Sequence, residues 1–322
     1  MSSLANRALT ALAVAAAMFS MNAQAQSRSA EPHLAAAKAA AGQDHSYIYS
    51  ALCVSPASGP NTGVMKTPPA RETWHVEPAK VFDNLYFVGE KEYSAWAVTT
   101  SAGIIIVDTI WDYSVEDEIV GGLKKLGLDP AQIKYAVVSH GHRDHVGGAR
   151  YLQDHFGTRI LMTATDWDLV ESSPRIPPAV KPKRDMLIAD GQKLTLGDTT
   201  LTFYFTPGHT LGTISTLIPV KDNGRPHLVA EWGGTGFNFE QSRERFAQYI
   251  ASAERFGAIV AQSGADVLIG NHTNQDGSKV KLPALAQRKP GDPHPYVIGN
   301  DSVRRYIKVA EECARAYATR YQ

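Results

Sequence analysis

The sequence predicts an α+β fold: an αβ/βα sandwich of two packed mixed β-sheets with helices on their outer faces. Two observations carry this prediction. Short apolar, β-branched segments alternate with amphipathic segments on both sides of a histidine-rich motif at residues 140–145. Two longer segments toward the C terminus have apolar residues at helical spacing and would cover the sheets. With 322 residues, 43% of them hydrophobic, the chain has ample apolar content for such a core.

Residues 1–25 have the pattern of a secretory signal peptide. Arg7 precedes an apolar run over residues 8–19, and Ala23, Gln24 and Ala25 form a small-residue cleavage site. The run has no polar face, which disfavours an ordinary N-terminal helix, and it is too short to span a bilayer comfortably. We therefore expect cleavage after Ala25, a mature chain without a membrane span, and a periplasmic or secreted protein.

Residues 26–78 are predicted to be an extension that wraps the main domain of residues 79–322. The extension is rich in alanine and then in proline, glycine and serine, so we expect a short helix over 34–41 and irregular structure over 55–69. Cys53 lies in this extension and Cys313 lies near the C terminus. In an oxidising compartment the two could pair, but they could equally be buried thiols, because sequence alone does not place them within bonding distance.

The main domain is predicted to contain short apolar strands that end at turn residues. These strands lie at residues 85–88, 95–98, 104–107, 135–138, 159–162, 193–196, 200–205 and 213–220, and two more start at Leu228 and Val267. Segments with helical spacing lie at residues 115–126, 149–156, 164–171, 242–256 and 301–317. The strand at 135–138 leads directly into the histidine-rich motif, and the helix at 149–156 follows it.

The motif His140-Gly141-His142-Arg143-Asp144-His145 predicts a metal site, because no structural need explains three histidines and an aspartate within six residues. A strand-to-helix turn splays alternate side chains in different directions. His140 and His142 can therefore share one metal while Asp144 and His145 face a second. Imidazole nitrogens with one carboxylate suit zinc, which takes about four ligands. A polar loop with satisfied histidines is the alternative, and four ligand-type residues on one turn make it the weaker one.

The motif, followed by Gly147 and Gly148, resembles the signature of the metallo-β-lactamase superfamily. The resemblance covers residues 81–272 and implies the sandwich fold and two zinc ions per chain. It also implies a histidine from a Thr-Pro-Gly-His turn, here residues 206–209, and a last histidine after a short apolar strand. The implied ligands are His140, His142 and His209 for the first metal, and Asp144, His145 and His272 for the second.

Asp108, which ends the strand at 104–107, has two interpretations. In the resembling family an aspartate at this place braces a metal-binding histidine through the ring nitrogen that does not bind the metal. On sequence alone, a strand-terminal aspartate that caps a turn is about as well supported.

The residue that bridges the two metals distinguishes subfamilies within the resemblance. Glyoxalase-II-like and lactonase-like members use an aspartate, but this chain has none between Asp222 and Asp266. One zinc β-lactamase subclass uses a cysteine, and both cysteines here are far away in the sequence. The pattern therefore resembles the β-lactamase subclass whose second metal takes only Asp, His and His. Glu231 or Asn238 is an alternative extra ligand, and a Gly-rich turn without a ligand is at least as well supported.

The resemblance implies a zinc-dependent hydrolase in which a metal-bound hydroxide is the nucleophile and Asp144 orients it. The expected substrate is a small molecule with a cyclic amide or ester. A β-lactam is the best single expectation, because secretion and the missing bridging aspartate fit that subclass. Two alternatives stay open: a zinc-dependent hydrolytic dehalogenase or phosphotriesterase of the same fold, and a non-catalytic metal-binding protein. The sequence contains no G-x-S-x-G nucleophile motif.

Loops beside the metal site are expected to select the substrate. Tyr93 and Trp96 would offer apolar surface, and the Pro-rich loop at 172–183 with Arg184 would offer cations to a substrate carboxylate. The 32 Lys and Arg residues balance the 32 Asp and Glu residues, and loss of Arg7 with the leader changes the net charge from zero to −1. With no basic run and no aromatic–basic interleaving, the sequence argues against a nucleic-acid partner and leaves the oligomeric state open.

Overall fold

The computed structural model describes residues 29–54 and 67–321. The predicted signal peptide, its cleavage site after Ala25 and most of the predicted irregular stretch at 55–69 lie outside these residues. Within them, the chain forms two β-sheets packed face to face, with helices on the outer faces. The predicted αβ/βα sandwich is confirmed.

The first sheet contains seven strands in the order β1-β2-β3-β4-β5-β6-β7. Strands β1 to β4 pair antiparallel and strands β4 to β7 pair parallel, so the sheet is mixed. The strands are β1 (Ala79–Lys80), β2 (Leu85–Phe87), β3 (Trp96–Thr100), β4 (Gly103–Val107), β5 (Ile133–Val137), β6 (Arg159–Met162) and β7 (Met186–Leu187). The sequence did not predict β1 and β7, because a strand of two residues is too short to show alternation.

The second sheet contains five strands in the order β12-β11-β10-β9-β8. All neighbours pair antiparallel except β11 and β12, which pair parallel. The strands are β8 (Lys193–Leu196), β9 (Thr199–Phe205), β10 (Ile214–Asp222), β11 (Arg225–Trp232) and β12 (Val267–Gly270). Each of them overlaps a predicted strand; β8 has the predicted bounds, and the ends of β9 and β10 differ by one or two residues.

The two faces of the first sheet bury different apolar residues, as the period of two in a strand requires. In β4, Ile105 and Val107 pack against the second sheet, while Ile104 and Ile106 pack against the outer helices. Since both faces are buried, β4 appears in the sequence as a continuous apolar run rather than as an alternating one.

The helices cover the outer faces of both sheets. They are α1 (Glu31–Ala41), α2 (Ser46–Tyr49), α3 (Arg71–Trp74), α4 (Gly121–Lys125), α5 (Arg143–Val146), α6 (Ala149–Phe156), α7 (Ala164–Ser172), α8 (Arg243–Ser263), α9 (Ser278–Ala286) and α10 (Asn300–Ala318). Two π-helical turns, Ser50–Val54 and Glu116–Val120, continue α2 and precede α4, and 3-10 turns lie at Pro130–Gln132, Pro178–Val180 and Thr319–Tyr321. Helices α8 and α10 pack together over the second sheet.

Two helical predictions needed correction, and one helix was not predicted. The segment at 115–126 is not one α-helix: its first half is the π-helical turn, which carries Glu118 inward to an ion pair with His75. Helix α8 runs to Ser263 rather than to Phe256, because Gly257 does not interrupt it. Helix α9, which contains Pro283, was not predicted.

The N-terminal extension packs against α10. Helix α1 and the segment that follows it contribute buried residues to the apolar cluster under α8 and α10. Cys53 and Cys313 form a disulfide that joins the π-helical turn to α10 across a sequence separation of 260 residues. Of the two interpretations of these cysteines, the structure therefore supports pairing. In the described part of the chain, no helix has both the length and the apolar character needed to cross a membrane.

Candidate metal centre

The histidine-rich motif follows β5 at one edge of the sandwich, where the carboxyl ends of four strands converge. Asp108 follows β4, His140 follows β5, Gly233 follows β11 and His272 follows β12. The ends of two parallel pairs, one in each sheet, therefore bring side chains from distant parts of the sequence together.

Three histidines form a first triad. Nε2 of His209 lies 3.0 Å from Nε2 of His140 and 3.1 Å from Nδ1 of His142. His140 and His209 are 1% and 5% exposed, so the triad is closed off from most of the solvent. The structure thus brings together the three residues that the sequence assigned to one metal.

A second triad lies beside the first and consists of Asp144, His145 and His272. The ring centroids of His145 in this triad and of His140 in the first are 4.2 Å apart. Nε2 of His145 lies 3.3 Å from Nε2 of His272 and 3.4 Å from Oδ2 of Asp144. Nε2 of His272 lies 3.8 Å from the same oxygen. The side chains of Asp144 and His272 are each 22% exposed, so this triad faces the open side of the site.

The spacing within both triads fits tetrahedral zinc. Zinc–nitrogen bonds of about 2.0–2.1 Å at tetrahedral angles separate the ligand atoms by about 3.3–3.4 Å. All ligand atoms of each triad lie within 4.8 Å of one another. Neutral imidazoles are also what a metal requires, because only an unprotonated nitrogen has a free lone pair.

Burial and mutual repulsion keep four of these histidines neutral. Burial lowers the pKa of His209 to about 4 and that of His272 to about 3 from the usual 6.5. The pKa values of His140 and His142 shift in the same direction for the same reason, with the neighbouring histidines adding to the effect.

His145 differs because it lies between two carboxylates. Burial would lower its pKa, but Asp144 on one side and Asp108 on the other outweigh burial and raise the pKa to about 10. Burial likewise opposes the ionisation of Asp144, while His145 and His272 hold its pKa below the usual range. The carboxylates that stabilise a proton on His145 would stabilise a divalent cation in its place.

Hydrogen bonds to the second ring nitrogen fix the orientation of three histidines. Nδ1 of His140 lies 2.9 Å from the carbonyl of Gly233, and Nδ1 of His209 lies 2.7 Å from the carbonyl of Gly236. Nδ1 of His145 lies 2.9 Å from Oδ2 of Asp108. Each Nδ1–H donates, which leaves Nε2 free to face the partner ligands.

Asp108 both braces a ligand histidine, as the family resemblance implies, and accepts hydrogen bonds from a turn residue, as a strand-terminal aspartate would. Besides His145, it accepts hydrogen bonds from the backbone N–H of Ser139 at 2.7 Å and from the Ser139 hydroxyl at 2.9 Å. Its φ of 60° is the left-handed conformation, which is uncommon for a residue other than glycine. The strained residue therefore holds the start of the motif and one ligand histidine at the same time.

The turn after β11 lies against the ligand histidines and carries no ligand side chain. A Cβ atom on Gly233 would lie 1.7 Å from the carbonyl oxygen of Ile214, and one on Gly234 would lie 2.6 Å from Cβ of His209. Among the described residues, neither Glu231 nor Asn238 belongs to a metal-type triad. Of the interpretations of this stretch, the geometry supports a Gly-rich turn without a ligand, which acts through its backbone carbonyls.

Two residues that the sequence analysis did not identify form hydrogen bonds to the segments that carry the ligand histidines. Asp166 accepts hydrogen bonds from the N–H of Gly141 at 2.7 Å, from the N–H of Gly212 at 3.0 Å and from the hydroxyl of Thr210 at 2.7 Å. It thereby ties the motif to the turn that carries His209. Asn271 donates to the carbonyl of Gly233 at 2.6 Å. A buried aspartate in the first turn of a helix and an asparagine beside a ligand gave little signal in the sequence.

A cavity of about 420 Å³ opens onto both triads, since His209 and His272 line it. Tyr93 also lines it, with its ring 5.2 Å from that of His272, so its predicted place beside the metal site agrees with the geometry. Asn238 lies on the same wall.

The structure contradicts the predicted substrate contact at Trp96. It is 1% exposed and packs between the two sheets against Phe87 and Tyr296. Its indole N–H donates to the carbonyl of Gly270 at 3.2 Å. The residue belongs to an apolar strand, and period-two alternation directs it into the core rather than toward the cavity.

The predicted cations for a substrate carboxylate do not line the cavity either; they are Lys181, Lys183 and Arg184. Arg184 pairs with Asp168 and Glu171, and Lys181 donates to the Glu171 carbonyl at 2.6 Å.

The model of the metallo-beta-lactamase superfamily matches residues 88–222. Among curated proteins, an N-acyl homoserine lactonase of Bacillus sp is 28% identical over 172 residues, 51% of this chain and 66% of the lactonase. One from Azorhizobium caulinodans is 28% identical over 194 residues, 55% of this chain and 73% of that protein. The first match thus spans just under two thirds of the relative.

Solved structures are similar over more of the chain. A subclass B3 metallo-β-lactamase of Bradyrhizobium japonicum is 29% identical, with a TM-score of 0.61 over 73% of this chain and 91% of that one. The metallo-β-lactamase of Legionella gormanii is 23% identical, with a TM-score of 0.64 over 72% of this chain and 91% of that one, and it shows the shared fold alone.

Proposed function

We propose that this chain, whose residues 88–222 match the model of the metallo-beta-lactamase superfamily, is a dinuclear zinc hydrolase that opens cyclic amides or cyclic esters. One observation carries the proposal: two adjacent triads of ligand atoms, each within 4.8 Å, lie at the mouth of a cavity large enough for a small molecule. His140, His142 and His209 would hold one zinc ion, and Asp144, His145 and His272 would hold the other. When bound, such ions lower the pKa of a water to about 7 and polarise a carbonyl oxygen.

The chain's own residues would position the reactants. Oδ2 of Asp144 faces His145 and His272, which leaves Oδ1 to orient the attacking water and to take its proton. Asn238 and Asn271 bring amide groups to the wall of the cavity, where they can hold a polar group of the substrate. No protein nucleophile is required, and both cysteines are in the disulfide.

A cyclic amide of the β-lactam type is the first candidate substrate. Lactonase-like members of the superfamily are expected to bridge their metals with an aspartate, and here Gly233 and Gly234 leave no space for a side chain. The second triad then has the Asp, His and His set of the β-lactamase subclass. The similarity to a subclass B3 enzyme at 29% identity supports this choice.

A cyclic ester is the second candidate, because the two curated relatives described above are N-acyl homoserine lactonases. A lactone and a β-lactam present the same carbonyl carbon to the attacking water and differ in the leaving atom. The same two triads could therefore serve either substrate.

The direct test is to incubate purified, zinc-loaded protein with nitrocefin and with an N-acyl homoserine lactone, and to include a phosphotriester and an aryl halide. We expect ring opening of the lactam, the lactone or both, and loss of the activity on zinc removal. Turnover of only the phosphotriester or the aryl halide would replace the proposal with the alternative chemistry of the same fold. A protein that binds zinc and turns over none of the four would contradict the proposal.

We also propose that the chain is exported and that the mature protein begins near Gln26. The leader pattern supports export, as does the disulfide, because disulfides persist mainly in oxidising compartments. N-terminal sequencing of protein from the periplasm is the test. Retention of Met1 in cytoplasmic protein would contradict it.

A further inference from the structure

One wall of the cavity comes from the N-terminal extension, outside the residues that the superfamily model matches. Ala51 and Leu52, in the π-helical turn Ser50–Val54, line the cavity together with His209 and His272. The cavity thus lies between a ligand from each triad and a segment that comes from the other end of the chain.

The segment is held in place at several points. The Cys53–Cys313 disulfide joins it to α10 immediately after Leu52. Nε2 of His45 lies 2.9 Å from the hydroxyl of Ser302 in the same helix. Because a covalent bond and a buried hydrogen bond fix both ends of α2 and its π-helical turn, the wall has a defined position relative to the metal ligands.

The loop that carries His272 packs on the same segment. The ring of Tyr47 lies against Gly277, where an added Cβ atom would be 3.3 Å from the ring. Gly277 has a φ of 79°, so a side chain there would also strain the backbone.

The chemistry of the wall is apolar. Leu52 is 2% exposed and belongs to the same apolar cluster as Phe237, which also lines the cavity. Ala51 is half-buried and lines the cavity. Among the described residues that line the cavity there is no lysine or arginine, and Glu92, the carboxylate there, pairs with Lys279. The other lining side chains are mostly polar and include Thr235, Asn238, Asn271, Asn274 and Gln275, so the apolar patch is confined to one side of the cavity. That side would favour an uncharged, apolar group of a bound molecule.

We propose that Ala51 and Leu52, on a segment fixed by the disulfide, form the wall that receives an apolar substituent of the substrate and limits its size. The proposal rests on the proposed function in that the substituent belongs to the hydrolysed molecule. Ala51 and Leu52 would then determine substrate specificity without belonging to either ligand triad. The substrate class it selects is a cyclic amide or ester whose side group is uncharged and aliphatic.

The test uses ligands that bind metal sites without being hydrolysed. A series of straight-chain hydroxamic acids, from acetohydroxamic to octanohydroxamic acid, is titrated into the zinc-loaded full chain by calorimetry. In the unaltered protein we expect affinity to rise about fourfold for each methylene group that reaches the wall.

The variant Ala51→Leu fills the space in front of the wall. It should weaken octanohydroxamate binding at least about tenfold while leaving acetohydroxamate binding within about twofold. Val54→Leu is the matched control, since Val54 is 64% exposed on the same segment and does not line the cavity. The proposal would be overturned if Ala51→Leu and the unaltered protein showed the same change of hydroxamate affinity with chain length. It would also be overturned if affinity did not change with chain length in the unaltered protein.

The double variant Cys53→Ser with Cys313→Ser removes the covalent bond that fixes the segment carrying Ala51 and Leu52. We expect hydroxamate affinity to depend less on chain length in this variant, while its zinc content stays the same. Should this variant fail to fold, Ala51→Leu still decides the matter. The proposed function fails separately, if neither lactams nor lactones are hydrolysed, because the hydroxamate series does not require turnover.

Discussion

At the scale of single residues, Asp108 has the largest expected effect without being a metal ligand. It accepts hydrogen bonds from His145 and twice from Ser139, and it does so in a strained conformation. Asp108→Asn keeps the shape but offers only one acceptor oxygen to three donors. We expect zinc affinity of the second site to fall about 10-fold to 100-fold, with the first site unchanged.

Competition with a chromophoric chelator measures this change. Asp112→Asn is the control, because Asp112 pairs with Arg143 of the same motif and contacts no ligand histidine. Equal affinity losses in the two variants would contradict the role of Asp108.

The individual site residues were largely predictable, and the exceptions have a common cause. The four motif residues were identified because ligand types cluster within six positions, and His209 and His272 were implied by the resemblance to the superfamily. The role of all six as ligands stays a prediction. Asp166 and Asn271 were missed because each is one polar residue in an ordinary segment. Trp96 was misassigned because its place just after a loop does not reveal the direction in which the following strand points its side chain.

At the scale of elements, the Gly-rich turn after β11 is the part of the site least tolerant of change. Gly233→Ala would force the backbone away from Ile214, and the Gly233 carbonyl that orients His140 would move with it. Overpacking of this kind costs about 1–3 kcal/mol. We expect thermal denaturation to show a loss in that range, together with weaker zinc binding at the first site.

Gly257 in α8 offers the matched control. The atom nearest to an added Cβ is 3.6 Å away, on Ile307, and the residue is helical. Gly257→Ala should therefore stabilise the protein by about 0.5–1 kcal/mol. A Gly233→Ala variant as stable as Gly257→Ala would show that the turn has more room than the structure allows.

Elements were predicted well where apolar periodicity was strong. Helix α6 and strands β6 and β8 have the predicted bounds. The predicted end of α8 at Phe256 was wrong, because Gly257 does not end the helix. The role of the Gly-rich turn was not predictable in detail, because backbone carbonyls carry no side-chain signal.

At the scale of the whole molecule, the buried histidines make the metal-free protein sensitive to acid. Burial lowers the pKa of His209 to about 4, below the 6.5 of an exposed histidine. The unfolded chain therefore binds a proton that the folded chain does not, so stability is present above pH 6.5 and is lost as the pH falls toward about 4. His209→Gln should reduce the slope of the unfolding free energy against pH in this range by about one proton, or ~1.4 kcal/mol per pH unit.

Chemical denaturation of chelator-treated protein at several pH values measures this slope. His155→Gln, at an exposed histidine, is the control. Parallel curves for His209→Gln and the unaltered protein would mean that His209 is accessible to protons in the folded state.

The central claim is that the six triad residues hold two zinc ions, and metal analysis tests it most directly. Protein purified with zinc should contain about two ions per chain by inductively coupled plasma mass spectrometry. His145→Ala should contain about one, because Asp144 and His272 alone cannot hold the second ion while the first triad is intact. Less than one ion in the unaltered protein, or two retained in His145→Ala, would contradict the account.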